Sequence, residues 1–416
     1  MIKFVKFELK NGLRVLVHED KSTPMVAVNV LYDVGAKDEL PEKTGFAHLF
    51  EHLMFGGTVA APNFDEPLQN AGGDCNAFTN SDLTNFYDIL PAENLEIALW
   101  LESDRMKSLK INQKSLSTQQ KVVVEEFKET CLNEPYGDVW HHLNGMAYQV
   151  HPYKWPTIGS VPKHVEDANL EDVKHFYSKF YAPNNAILVI AGNVELEQTK
   201  ALVEKWFGHI PAGVPTRRSL SQEPEQTAFR QLTKFGKVPM DAIYMAFHMP
   251  ARDDQNYYTI DLLSDVLSNG QSSRLYRRLL KEQQLVSVID CYITGNIDPG
   301  LLIIEAKPAE GKQLEEVEAA ILKEIEILKT ELLDERELQK IKNKVESNLV
   351  FSEMNVLNKA INLAFYELIG DIDLINTEGE RYQQVTAEGI RDAARKILTR
   401  ENCSVLYYKM ASTQDK

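Results

Sequence analysis

Cysteine is scarce: the 416 residues hold four, Cys75, Cys131, Cys291 and Cys403, scattered along the chain. No C-x-x-C pair occurs, which excludes a cysteine zinc site and a dithiol redox motif. Four thiols in this length make no disulfide framework; they read as small buried or half-buried side chains. Long apolar runs are missing too. No stretch reaches the roughly 18 apolar residues that a membrane span needs. Met1-Ile2-Lys3-Phe4-Val5-Lys6-Phe7 leads into a strand without an apolar signal region. The expectation is a soluble chain with no membrane span, cytoplasmic as it stands and periplasmic if a signal peptide was removed. Positive charge is in deficit: 45 Lys and Arg face 61 Asp and Glu, a net charge of −16. Nucleic acid, which needs a basic surface, is thereby excluded as a partner. The acidity suits basic peptides, and a solvated acidic surface accounts for it equally well.

The composition that remains, 44% hydrophobic and 25% charged, is that of a globular protein long enough for two or three domains. One stretch stands out, Gly45-Phe46-Ala47-His48-Leu49-Phe50-Glu51-His52-Leu53-Met54-Phe55-Gly56-Gly57-Thr58. On a helix each residue turns about 100°, so His48, Glu51 and His52 share one face. Two imidazoles at i and i+4 are a chelate for zinc. A carboxylate in the same turn is placed to act as general base toward water. Phe46, Leu49, Phe50 and Leu53 make the rest of the helix a buried one, Thr44 is the expected N-cap, and Gly56-Gly57 end it. Chance clustering on a solvated face is the bland alternative. The apolar company argues against it, because buried His and Glu need partners. A catalytic zinc site needs a third protein ligand. The helical stretch Gln119 to Glu129 offers Glu125, Glu126 and Glu129, and spacing does not choose among them.

These residues resemble the inverzincins, the pitrilysin/insulinase metallopeptidases, whose motif is H-x-x-E-H. The resemblance runs along nearly the whole chain. Asn11-Gly12-Leu13-Arg14-Val15 is similar to the family's first hairpin, and Gly72-Gly73-Asp74-Cys75-Asn76-Ala77-Phe78-Thr79 to its glycine turn and active-site strand. His151-Pro152-Tyr153 with Ile158-Gly159-Ser160 resembles a loop after the ligand helix. Asn184-Asn185-Ala186 leading to Ala191-Gly192-Asn193-Val194 resembles the last strand of the first domain. The resemblance implies a zinc endopeptidase. His48, His52 and Glu126 would be its ligands, with Glu125 the alternative if the register slips by one, and Glu51 the general base. Asn76, Ala77, Phe78 and Thr79 would form the strand that pairs with the substrate backbone. Where the family often has a second Glu, seven residues before the ligand, this chain has Gln119. The rival class is a non-catalytic scaffold subunit of the same fold; such relatives typically have degraded zinc motifs.

Along the chain, a hairpin spans Phe4 to His18 and a strand Met25 to Tyr32. A short helix follows over Asp65 to Ala71, then strands at Asn76 to Thr79 and Asn85 to Leu90 and an amphipathic helix over Leu95 to Ser108. The ligand helix runs from about Ser117 to Asn133. A helix over Glu171 to Phe180 and a strand over Ala186 to Ala191 complete this half. Residues 211–227, rich in proline and without periodicity, read as a linker between domains 1–210 and 228–416. The second half repeats the order: strand Ala242 to Phe247, helix Tyr257 to Ser268, strand Leu301 to Ala306, helices Val317 to Leu332 and Arg336 to Phe351. Pro308-Ala309-Glu310 echoes Pro91-Ala92-Glu93. The expected fold class is therefore α+β, two homologous α/β-sandwich domains from an internal duplication, which in the family enclose a cleft. The second copy has no H-x-x-E-H. Family members often carry there an Arg and, seven residues later, a Tyr that hold the scissile carbonyl. Counting from Gly270-Gln271-Ser272-Ser273-Arg274-Leu275 puts Leu280 and Ser287 at those places, with Arg277, Arg278 and Tyr292 out of register. The expectation is a heterodimer in which a homologous partner subunit supplies the Arg/Tyr pair, a homodimer being the alternative.

Overall fold

The computed structural model describes residues 1–215 and 218–411. In chain order the first elements are β1 (Val5–Glu8), β2 (Arg14–Glu19), β3 (Met25–Tyr32), α1 (Phe46–Met54), α2 (Asp65–Asn70), β4 (Asp74–Thr79) and β5 (Thr84–Pro91). Then come α3 (Leu95–Ser108), α4 (Gln113–Phe127), α5 (Val139–Ala147), α6 (Pro162–Glu166), α7 (Leu170–Phe180), β6 (Ala186–Gly192) and α8 (Leu196–Phe207). After a stretch with no helix or strand among its described residues follow β7 (Arg230–Gly236), β8 (Ala242–His248), α9 (Tyr257–Ser268), β9 (Val286–Ile293) and β10 (Leu301–Pro308). The chain closes with α10 (Leu314–Thr330), α11 (Glu335–Ser352), α12 (Val356–Leu368), α13 (Leu374–Gln383), α14 (Ala387–Ile397) and β11 (Cys403–Met410).

The strands form two sheets, ordered β1-β2-β6-β3-β5-β4 and β7-β11-β8-β10-β9. Without β1 the first has the topology of the second. In each the first strand pairs in parallel with the last and the other neighbours run antiparallel. A shared path of this kind is what a duplicated unit produces, and the two α+β domains of the expectation are present. The central strands β3 and β6 are apolar on both faces because both faces are covered. On one side of the first sheet Val15, Val28, Val30, Phe86 and Leu188 pack with α1, α3, α7 and α8. On the other Leu16, Ala27, Leu31, Ile187 and Val189 pack with Ala360, Leu363 and Ala364 of α12. Burying each such aliphatic side chain contributes about 1.5–3 kcal/mol.

The compact units differ from the contiguous halves 1–210 and 228–416. One comprises residues 1–127, 155–220 and 349–377, the other 128–154, 221–348 and 378 onward. The reason is the need of each sheet for a second cover. Helix α5, from the first half of the sequence, packs Val139, Leu143 and Ala147 on Ala242, Tyr244 and Leu406 of the second sheet. Helix α12, from the second half, does the same for the first sheet. The duplicated units have exchanged one helix each.

Candidate metal centre

Helix α1 buries Phe46, Ala47, Leu49, Phe50, Leu53 and Met54, leaving His48, Glu51 and His52 half-buried on its other face. Phe50 fixes the rotation of the helix. Its ring stacks on Phe176 and Tyr181 with centroids 5.1 Å away in each case. The helix starts at Gly45, whose φ of 86° is left-handed, and a Cβ there would lie 2.9 Å from the Ile158 carbonyl oxygen. Thr44 is not the N-cap expected from sequence. With Gly45 in the capping position, the Thr44 hydroxyl accepts the Ser160 N–H at 2.7 Å and meets His164 Nδ1 at 2.8 Å. Sequence reasoning also missed Glu39, whose carboxylate accepts the N–H groups of Gly45 and Ala47. No sequence signal pointed to it, because Thr44 already stood as the local cap.

Helix α4 brings the third group. It buries Leu116, Val123, Val124 and Phe127, which leaves Glu126 half-buried, while Glu125 and, in the wide turn that follows, Glu129 are exposed. Of the three glutamates that spacing left open, Glu126 is the one that meets the imidazoles. Its Oε2 lies 3.6 Å from His48 Nε2 and 3.3 Å from His52 Nε2. The two Nε2 atoms are 3.3 Å apart. Four ligands at 2.0–2.1 Å around a tetrahedral zinc are spaced by about 3.3 Å, so the three donors fit such an ion and leave a fourth position open. Among the described residues this is the one group of three or more His, Cys, Asp or Glu side chains close enough together to hold a metal.

Protonation agrees with that use. Burial lowers the pKa of His48, with Glu126 opposing it, and the His52 hydrogen bond lowers that of Glu126. A neutral imidazole and an ionised carboxylate are the forms that bind metal. His48 Nδ1 is buried and has no hydrogen-bond partner among the described residues. Glu51 sits on the same face of α1, one residue before His52, outside the three-donor group. Gln119 is half-buried on α4, two turns before Glu126.

Strand β4, which carries Asn76, Ala77, Phe78 and Thr79, is the last strand of its sheet and contacts α1. Its hairpin closes with Asn80 N–H on the Leu83 carbonyl. By the antiparallel alternation, the N–H groups of Thr79, Ala77 and Cys75 then face the open side. Two of them are held by side chains: Ala77 N–H by Asn76 Oδ1 at 2.8 Å and Cys75 N–H by Asp74 Oδ1 at 3.0 Å. Phe78 is exposed on this strand. In the second unit Leu280 lies half-buried in a turn of wide helix over Tyr276–Glu282. Ser287, on β9, donates to the carbonyls of Lys307 and Pro308. Arg277 and Arg278 pair with Glu282, and Tyr292 is half-buried beside Trp140, its pKa raised by burial.

Residues 14–161 match the family model described as Insulinase (Peptidase family M16), and residues 167–345 the one described as Peptidase M16 inactive domain. The chain belongs to peptidase family M16. All three donors and Glu51 fall within the first match. Among M16 relatives, zinc protease PqqE of Helicobacter pylori (strain ATCC 700392 / 26695) is 30% identical over 80% of this chain and 76% of its own length. A crystal structure of a protease from Helicobacter pylori superposes with a TM-score of 0.92 at 26% identity, over 98% of this chain and 100% of that one. A probable mitochondrial-processing peptidase subunit beta of Arabidopsis thaliana is 24% identical over 82% of this chain and 66% of its own. No helix among the described residues is long and apolar enough to cross a membrane.

Proposed function

We propose that this chain is a zinc-dependent endopeptidase acting on peptides or unfolded protein segments. The observation that carries it is the triangle of His48 Nε2, His52 Nε2 and Glu126 Oε2, with edges of 3.3–3.6 Å. These three residues would hold the ion, which when bound polarises the scissile carbonyl and acidifies water. The chain's own groups do the rest. The Glu51 carboxylate takes a proton from water as its oxygen bonds to the carbonyl carbon. It passes that proton to the amine nitrogen as the carbon–nitrogen bond breaks. The open edge of β4 carries the Thr79 amide and those of Cys75 and Ala77, which would exchange the Asp74 and Asn76 side chains for an extended backbone; such pairing orders substrate without reading its side chains.

The zinc half has a full set of candidate groups, while counting along the chain from Arg274 puts Leu280 and Ser287 at the family's Arg and Tyr positions. We therefore also propose that a homologous partner subunit supplies that pair; the alternative assembly, a homodimer, would have to hold the carbonyl with other groups. A relative named as the beta subunit of a processing peptidase supports the heterodimer. The test is cleavage of a quenched fluorescent peptide by the purified, zinc-loaded chain, with Glu51→Gln as control. Cleavage by the chain alone that vanishes in Glu51→Gln, by about 10²–10⁴-fold, supports the endopeptidase and removes the need for a heterologous partner. One zinc per chain without cleavage supports the missing subunit. Cleavage that survives Glu51→Gln overturns the general-base assignment.

A further inference from the structure

The first turn of α1 carries His48, and no residue at its start provides a cap: Gly45 has no side chain and Thr44 is engaged elsewhere. Two of the amides at the helix start, those of Gly45 and Ala47, are nonetheless satisfied. Glu39, 6% exposed, reaches over from the preceding loop, its Oε2 accepting the Gly45 N–H and its Oε1 the Ala47 N–H, each at 2.8 Å. A buried carboxyl is costly unless it is hydrogen-bonded, and here each oxygen accepts one amide of the helix start. Burial pushes the pKa of Glu39 up, and the amides of Ala47 and Gly45 pull it down.

The loop that presents Glu39 is held on several sides. Lys37 makes a buried ion pair with Asp82 at 2.7 Å. The Ala36 and Lys37 amides bond the carbonyls of Asn80 and Ser81. Trp155 Nε1 donates to the Ala36 carbonyl at 2.9 Å. Asp38 Oδ2 accepts the Gly35 N–H at 2.9 Å, and Arg218 bonds both Asp38 and Asp33. A carboxylate on so fixed a loop locates what it binds. Asn80 and Ser81 also form the turn that joins β4 to β5, so the same loop ties the helix start to the strand edge.

We infer that Glu39 is a positioning residue for the metal helix: it fixes the first turn of α1, and with it His48, at the distance from Glu126 that an ion requires. The inference rests on the metal-binding reading above and adds a residue that touches neither metal nor substrate. Glu39→Gln separates it from a generic fold role. Both oxygens accept an N–H, so the amide must turn its NH₂ toward one of those donors.

The experiment measures zinc affinity of the full chain by competition with a chromophoric chelator, together with the visible spectrum of the cobalt-loaded chain. Glu39→Gln is expected to weaken zinc binding by about 10–100-fold, as loss of an outer partner does, and to change the cobalt bands. Leu143→Ala, which truncates a fully buried side chain of the other unit, lowers the melting temperature and leaves the zinc constant unchanged. A Glu39→Gln zinc constant within about twofold of wild type, a change worth only about 0.4 kcal/mol, with an unchanged cobalt spectrum overturns the proposal. If that variant does not fold, Glu39→Asp, which keeps the carboxyl and is too short to reach both amides, is judged on the same two readouts. A wild-type chain that binds no zinc refutes the metal reading. Hydrogen exchange of the Gly45–His48 amides without metal then decides the positioning role by itself: faster exchange in the variant supports it, equal rates overturn it.

Discussion

At the scale of single residues, the third ligand is the sharpest test of how chain chemistry becomes a site. Glu126→Gln should weaken zinc binding by at least about 100-fold, since a neutral amide oxygen is a poor substitute for a carboxylate. Glu125→Gln and Glu129→Gln should leave zinc binding within a factor of about two, because both residues are exposed and outside the three-donor group. Chelator competition reads all three, and the opposite ranking would move the ligand. His48, Glu51 and His52 were legible in the sequence because helical periodicity by itself puts i, i+3 and i+4 on one face. Glu126 was not legible from spacing, since three glutamates share that stretch and the choice depends on which face of α4 is buried. The family resemblance selected it, and the burial of Val123, Val124 and Phe127 gives the physical reason. Thr44 was misjudged because cap preference is local, whereas the left-handed Gly45 and the partners Ser160 and His164 belong to the folded unit.

At the scale of elements, β4 carries a prediction that separates its two sides. The Ala77 N–H faces the open side, so Ala77→Pro removes no ladder bond. Its melting temperature should stay within a few degrees of wild type, while affinity for an extended peptide, measured on the inactive Glu51→Gln chain, falls about tenfold for the lost hydrogen bond. The Asn76 N–H faces β5, and Asn76→Pro should cost stability by about 3 kcal/mol. Undiminished peptide affinity in Ala77→Pro would sink the docking role of this strand. Strands and long helices were well legible: Met25–Tyr32, Leu95–Ser108 and Tyr257–Ser268 fall where alternation or helical spacing places them. Helix α4 starts a turn earlier than expected because Asn112 caps it, its Oδ1 accepting from Lys114 and Ser115. The wide turn at Lys128–Asn133 that follows it has no sequence signature of its own.

At the scale of the whole molecule, the duplication was legible in the repeated order of elements, and the exchange of α5 and α12 was not. Amphipathic spacing says that a helix must cover something, without saying which sheet. The exchange predicts that residues 1–215 expressed alone leave the α12 face of the first sheet, with Leu16, Ala27, Leu31 and Val189, open to water. Such a fragment should bind a hydrophobic dye and aggregate, and co-expression of residues 349–377 should reduce both. A monomeric fragment with a cooperative melt would show that α12 is dispensable. The exchange also sets a timetable for biosynthesis. A ribosome has completed β6 long before it reaches α12. At about 5–20 residues per second, the roughly 180 residues from Gly192 to Leu368 take on the order of 10–35 s. Throughout that interval one broad oily surface of a finished sheet waits for a cover still being translated, so the nascent chain is a natural client for a ribosome-associated chaperone.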